Sequence, residues 1–348
     1  MSTWVSCPSY GVDLDRPLEE RFDVMDDGMI DRAKALLGSI QAETPPAALK
    51  LASLFNARTR WRFNREVKAI GRHAGIDWRW LMFANVSYDL VLTYMACSTV
   101  ALPTPDGPVL ARNMDWQPED KLAAASCVIR YARGGRLRWA IAGWPGSVGV
   151  VSGLSGRGFA VVINAVLSRQ RSARTGYPVL LFLRTVLEDA GGFDEAVAML
   201  ARKKLFTSAL LTVVGTENDQ RVCIERTPTR AEQRWGKPGE PLVTTNHYRK
   251  LDDEGRPGRD PETARFFEST GGRYEGLYRL GEQILSAGEV STEALLYALI
   301  DGDVVQENTA QHVILKPSAQ CIELFVPRRL VEAQRDEPPG REPVEPAQ

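Results

Sequence analysis

The stretch YMACSTVALPTPDGPVLARNMDW, Tyr94 to Trp116, constrains this chain more than any other. Before it the text is mostly helical; after it strands dominate. Two short apolar runs, Ser98 to Leu102 and Val109 to Ala111, flank Thr104-Pro105-Asp106-Gly107. Proline fixes φ early in a turn and glycine accepts a positive φ late, so the runs are expected to fold back as a hairpin. With the turn centred between Pro105 and Asp106, Cys97 faces Met114 and Arg112 faces Thr99. A bulge would move this by one residue. In either register a thiol, a guanidinium and the carboxylate of Asp115 come within reach of one another.

A thiol beside an arginine is expected to have a lowered pKa, because the cation favours the thiolate. What the hairpin lacks is a general base, and His73, His247 and His312 all lie far away in sequence. A free α-amine has a pKa of about 7.7 to 8.0. Cys97 would supply one itself if the Ala96–Cys97 bond were cut. The plain alternative is a small buried thiol at a strand start.

The rest of the pattern is α+β. Met25 to Gln41, Leu49 to Phe55 and Trp78 to Leu92 read as helices, the last capped by Asp77. Ala125 to Tyr131 and Leu137 to Ala142 flank Arg133-Gly134-Gly135-Arg136, and Val148 to Ser152 pairs with Phe159 to Ala165. Helices are expected over Pro178 to Ala190, Asp194 to Ala201, Thr263 to Leu280 and Thr292 to Ile300. Strands are expected over Ala209 to Val214, Arg221 to Arg226 and Pro241 to Thr245, with a last hairpin around Pro317-Ser318. Hairpin links suggest two antiparallel sheets with helices outside.

Several function classes are disfavoured. A balance of 43 basic against 44 acidic residues gives no global reason to bind nucleic acid. Five scattered cysteines with no CxxC pair argue against a disulfide framework or structural zinc, and no metal or cofactor is expected. Neither a signal-peptide start nor a membrane-length apolar run is seen, so a cytoplasmic protein is expected. Leu54 to His73 is basic with interleaved aromatics; it suits peripheral contact with an anionic membrane, or a solvated face with its rings turned inward.

Cys-Ser-Thr, the Pro-Asp-Gly turn and Ala-Arg-Asn-Met-Asp-Trp resemble the acid ceramidase and N-acylethanolamine acid amidase group of the choloylglycine hydrolase superfamily. VDLDRPLEERF, GIDWRWLMFANVSYDL and TTNHY are similar to other segments of that group. The resemblance implies a four-layer αββα N-terminal nucleophile hydrolase fold and a zymogen that cuts itself before Cys97. Residues 1–96 would form a mainly helical light chain that stays bound to a catalytic core, 97–331, with 332–348 a disordered tail. It implies Cys97 as nucleophile, Asp115 on the new α-amine and Arg112 beside the sulfur. Asn246 and Asn164 become oxyanion donors, and Arg265 (or Arg259) a later active-site arginine. The implied reaction is hydrolysis of an N-acyl amide through a thioester, with no cofactor. An acyltransferase using an amine acceptor and a non-catalytic lipid-binding scaffold are the alternatives.

Overall fold

The computed structural model describes residues 3–90, 95–255, 264 and 268–332. Of the expected tail, 332–348, Glu332 ends a short helix, Arg328–Glu332, and 333–348 lie outside the described residues, as do both Arg259 and Arg265.

Fourteen strands are described: β1 (Trp4–Ser6), β2 (Ser9–Asp13), β3 (Met95–Leu102), β4 (Val109–Trp116), β5 (Cys127–Arg133), β6 (Arg136–Gly143), β7 (Ser152–Ser155), β8 (Phe159–Asn164), β9 (Ala209–Val214), β10 (Arg221–Arg226), β11 (Ala231–Trp235), β12 (Leu242–Thr244), β13 (Thr309–Lys316) and β14 (Cys321–Pro327). They form two sheets, ordered β1-β14-β13-β4-β3-β12 and β11-β10-β9-β8-β7-β6-β5-β2. Neighbours are antiparallel except β2 and β5, which run parallel.

The turns behave as their residues dictate. Gly107 has φ +94°, and its N–H closes on the Thr104 carbonyl at 3.1 Å. Gly134 and Gly135 both take positive φ, which the two-residue turn of a right-twisted hairpin requires.

Alternation along the strands sorts side chains into layers. Ala101 and Leu110 pack with Ala140, Val162, Val313 and Leu324 between the sheets. Their neighbours Val100, Val109 and Ala111 face the opposite way, onto Leu277, Leu295 and Leu299 of the helices Thr270–Ala287 and Thr292–Ile300. On the other sheet Ile141, Val161 and Val213 turn outward onto Leu183 and Val186 of the helix Val179–Asp189 and Leu200 of the helix Phe193–Arg202. Three stacked cores between helix, sheet, sheet and helix are the αββα architecture.

Some elements depart from the sequence reading. The helix after Asp77 stops at Ala84 and a short turn of helix resumes over Ser87–Leu90. Of the strand expected over Val148 to Ser152, only Ser152 joins a ladder, as the first residue of Ser152–Ser155, and the Asn85 side chain takes the N–H groups of Val148 and Gly149 at 2.6 and 2.7 Å. The first 96 residues are not helical throughout: β1 and β2 extend both sheets. Within the basic stretch, Phe55 and Phe63 are buried whereas Leu54 and Trp61 are exposed. Among the described residues, no helix is long and apolar enough to cross a membrane.

Candidate active site

The hairpin register is the one its turn implies: Ala96 pairs with Asp115, Cys97 with Met114 and Thr99 with Arg112. Thr99 and Arg112 point between the sheets. The Thr99 hydroxyl donates to Asn164 Oδ1 on β8 at 2.8 Å. Arg112 Nη1 donates to the Val151 carbonyl at 2.9 Å and Ser152 Oγ at 3.1 Å, which turns Nη2 onto Cys97 Sγ at 2.8 Å. All these side chains are fully buried.

The main chain of Cys97 is held from the other side. Its N–H donates to Asn246 Oδ1 at 3.1 Å, and its carbonyl accepts from Arg273 Nη1 at 2.9 Å. Arg273 Nη2 donates to Asn246 Oδ1 at 2.7 Å, so that amide is oriented with Nδ2 on the Ala165 carbonyl at 2.8 Å. Asn246 stands there because β12 pairs with β3, placing Thr244 opposite Thr99. Asp115 is fixed by the Thr309 hydroxyl on Oδ1 at 2.6 Å. Its Oδ2 is buried with no hydrogen-bond partner among the described residues.

Burial sets the electrostatics. It pushes the Cys97 thiol up; Arg112 pulls back and Asp115 pushes up again. The lowered thiol pKa expected from the arginine is therefore reversed, because desolvation of a fully enclosed thiolate outweighs one cation. Burial also raises Asp115, against the pull of Arg273, Thr309 and Arg112. It lowers Arg273, against Asp115 and Cys97.

Cys97, Arg112, Asp115 and Asn246 are thus brought together. Asn164 adjoins them, with Nδ2 on the Thr244 carbonyl at 3.1 Å and Oδ1 on Thr99 rather than on Cys97. None of the three histidines is hydrogen-bonded to Cys97: His73 contacts the Met25 carbonyl, His247 Thr270 and Thr245, and His312 Asn113. Arg273 escaped the sequence reading. The usable signal was an arginine at the head of a helix's buried stripe, in phase with Leu277 and Gly281. Thr309 carried none. Among the described residues, no cluster of three or more His, Cys, Asp or Glu side chains is arranged to hold a metal ion.

A cavity of about 190 Å³, mostly apolar, is walled by Leu37 and Ile40 of the helix Asp27–Glu43 and by Phe83, Trp116, Trp144 and Leu180; none of Cys97, Arg112, Asp115 and Asn246 lines it. Trp116 directly follows Asp115.

Two facing sheets between helix layers define an N-terminal nucleophile hydrolase architecture of the choloylglycine hydrolase superfamily. Within it the chain belongs to the acyl-coenzyme A:6-aminopenicillanic acid acyl-transferase family, whose sequence profile matches residues 102–293. It is 22% identical to an N-acylethanolamine-hydrolyzing acid amidase of Caenorhabditis elegans over 240 residues, 62% of this chain and 66% of that protein. It is 23% identical to an acid ceramidase of Balaenoptera acutorostrata scammoni over 260 residues, 63% of each chain. The match thus spans just under two thirds of either relative's length. The solved Caenorhabditis elegans N-acylethanolamine-hydrolyzing acid amidase ortholog superposes with a TM-score of 0.51 at 19% identity, covering 64% of this chain and 93% of that one. That likeness is one of fold.

Proposed function

We propose that this chain is a self-processing cysteine amidase acting on N-acyl amides, with Cys97 as nucleophile. The observation that carries the reading is the enclosure of Cys97. Arg112 is on its sulfur, Asn246 and Arg273 are on its main chain, and no histidine is bonded to it. A base must then come from elsewhere, and the α-amine of Cys97 is the economical source.

In the first step Cys97 Sγ attacks the Ala96 carbonyl carbon. The C–N bond breaks, the nitrogen takes a proton, and Ala96 becomes a thioester on Sγ. Water adds to that thioester and expels the thiol, leaving residues 1–96 with a new carboxylate and 97–348 with a free amine. Asn246 Oδ1, already on the Cys97 nitrogen, and the unpartnered Asp115 Oδ2 are suited to hold the resulting ammonium.

In turnover the amine takes the thiol proton and the thiolate attacks the substrate carbonyl. The second Nδ2 hydrogen of Asn246 is available to the oxyanion, and Asn164 is the further candidate donor. The ammonium returns its proton to the leaving nitrogen, and water cleaves the thioester. The apolar cavity beside Trp116 suits a fatty acyl chain, in keeping with relatives named for N-acylethanolamine and ceramide. Exposed Leu54 and Trp61 on the basic stretch suit peripheral contact with a membrane holding such lipids.

One observation favours acyl transfer as a second reading: the family is named for an acyl-transferase. There an amine in place of water resolves the thioester.

Intact mass under denaturing conditions, from acid pH up to the α-amine's pKa of about 8, tests the proposal beside Cys97→Ala. Two species meeting between Ala96 and Cys97, absent in the variant, are expected. A single uncut species that still hydrolyses amides would remove the α-amine mechanism. An N-acyl amide screen with and without added amine then separates hydrolysis from transfer.

A further inference from the structure

The segment just before the nucleophile strand is anchored into the core by three buried side chains. The Asn85 amide uses both ends. Oδ1 accepts from the N–H groups of Val148 and Gly149 at 2.6 and 2.7 Å, and Nδ2 donates to the carbonyls of Leu81 and Gly146 at 2.8 and 3.2 Å. The Tyr88 hydroxyl donates to the Ser208 carbonyl at 3.1 Å. The Asp89 carboxyl accepts from the Val179 N–H at 3.0 and 3.1 Å, at the start of the helix Val179–Asp189. That position is where a helix has unpaired N–H groups, and the bond to one of them only partly offsets the burial that pushes the Asp89 carboxyl well up.

Asn85 and Asp89 converge on one piece of backbone. The loop that Asn85 grips, residues 146–149, runs straight into Val151 and Ser152, the two acceptors that aim Arg112. The helix that Asp89 caps holds the same loop, since the Val150 N–H donates to the Leu180 carbonyl at 3.1 Å. Gly149 permits the close fit: a Cβ there would lie 2.9 Å from Leu180 Cβ and 3.0 Å from the Asn85 carbonyl oxygen. The contacts form a continuous path from Asn85 through Val148 and Gly149 to Val151 and Ser152, then Arg112, then Cys97 Sγ.

We infer that Asn85, supported by Asp89, is a positioning residue for the nucleophile, setting Arg112 on Cys97 through the loop 146–152. The inference rests on Cys97 being the nucleophile, but not on self-cleavage. It makes residues 1–96 part of the active site rather than a spent propeptide. Among the described residues, the charged groups facing Cys97 are Arg112, Asp115 and Arg273, with Tyr88 a further titratable neighbour. Of these, Arg112 does most to favour the thiolate. Loosening its aim makes the thiol harder to ionise.

The test is the pH dependence of iodoacetamide labelling at Cys97, read by peptide mass in the full chain, alongside the Ala96–Cys97 break. The proteins are wild type, Asn85→Ala, Asn85→Asp and Asp77→Ala. Asp77 caps the same N-terminal helix from an exposed position, so its loss loosens the segment without touching the loop. Asn85→Ala is expected to move the labelling midpoint up by about one pH unit. Asn85→Asp keeps the acceptor but turns a carboxylate oxygen onto the Leu81 and Gly146 carbonyls, so it is expected to raise the midpoint as well, while Asp77→Ala keeps the wild-type midpoint. An Asn85→Ala protein that is folded by circular dichroism and labels with the wild-type midpoint overturns the inference. A wild type that stays uncut, with the Asn85→Ala midpoint still displaced, removes self-cleavage and leaves the positioning role standing.

Discussion

At the scale of single residues, Arg112 is the group whose geometry is most demanding. One planar guanidinium meets a carbonyl, a hydroxyl and a sulfur at once, all in the same enclosed space. Lysine offers a point charge on a flexible stem and cannot reproduce that fork. Arg112→Lys should therefore fold, keep the charge, and slow both the proposed Ala96–Cys97 break and the proposed amide turnover by on the order of a hundredfold. Single-turnover rates would show it, and an unchanged rate would mean that charge alone suffices. The partnership of Cys97 with Arg112 was legible because a tight turn sets its own register. The sign of the thiol's pKa shift was not, because burial is a property of the assembled layers. Arg273 lies far along the chain from Cys97 and is brought in by the packing of Thr270–Ala287 on β3, which no local pattern states.

At the scale of elements, what the chain does between strands matters as much as the strands. Val148 to Ser152 has the apolar text of a strand, yet its first residues give their N–H groups to Asn85, and the ladder begins only at Ser152. Side chains compete with sheets for backbone donors in this way, and such competition is invisible until the partner is known. The missed strand β11, AEQRW, is an edge with mixed burial and a weak alternation, whereas β9 and β10 are buried throughout and read clearly. Gly149 is the element-scale test of the loop. Alanine there meets Leu180 and the Asn85 backbone at distances that real Cβ contacts avoid. Gly149→Ala should cost about 1 to 3 kcal/mol by overpacking and lower the thermal midpoint. It should also slow Cys97 chemistry more than a core change of equal destabilisation elsewhere, such as Ile224→Val. Equal slowing by both would reduce the loop to a stability element.

At the scale of the whole molecule, the question is whether a cut before Cys97 would release anything. The N-terminal residues contribute the edge strand β1 to one sheet and β2 to the other. A buried clamp also ties the segment to the helix Val179–Asp189. Arg184, with its side chain 2% exposed, lies over the rings of Tyr131 and Trp139 at 4.6 and 4.5 Å. It pairs with Glu66 of the N-terminal segment at 3.1 Å and with Glu188 at 2.8 Å. Arg62, from the same segment, reaches Glu188 and Asp189 at 2.6 Å. Removing residues 1–96 would strip β14 and β5 of their paired neighbours and leave buried charges unpaired, both of which oppose release. A processed protein should therefore elute as one particle under native conditions and separate only in denaturant. Arg184→Met should lower the urea midpoint by the equivalent of about 3 kcal/mol, because it leaves Glu66 unpaired near the core. The loss should persist in high salt, since the clamp is shielded from mobile ions. Residues 1–96 leaving the remainder in native buffer would contradict the shared-sheet account. It would also detach Asn85 from the loop that aims Arg112, so that separation and loss of Cys97 reactivity should always occur together.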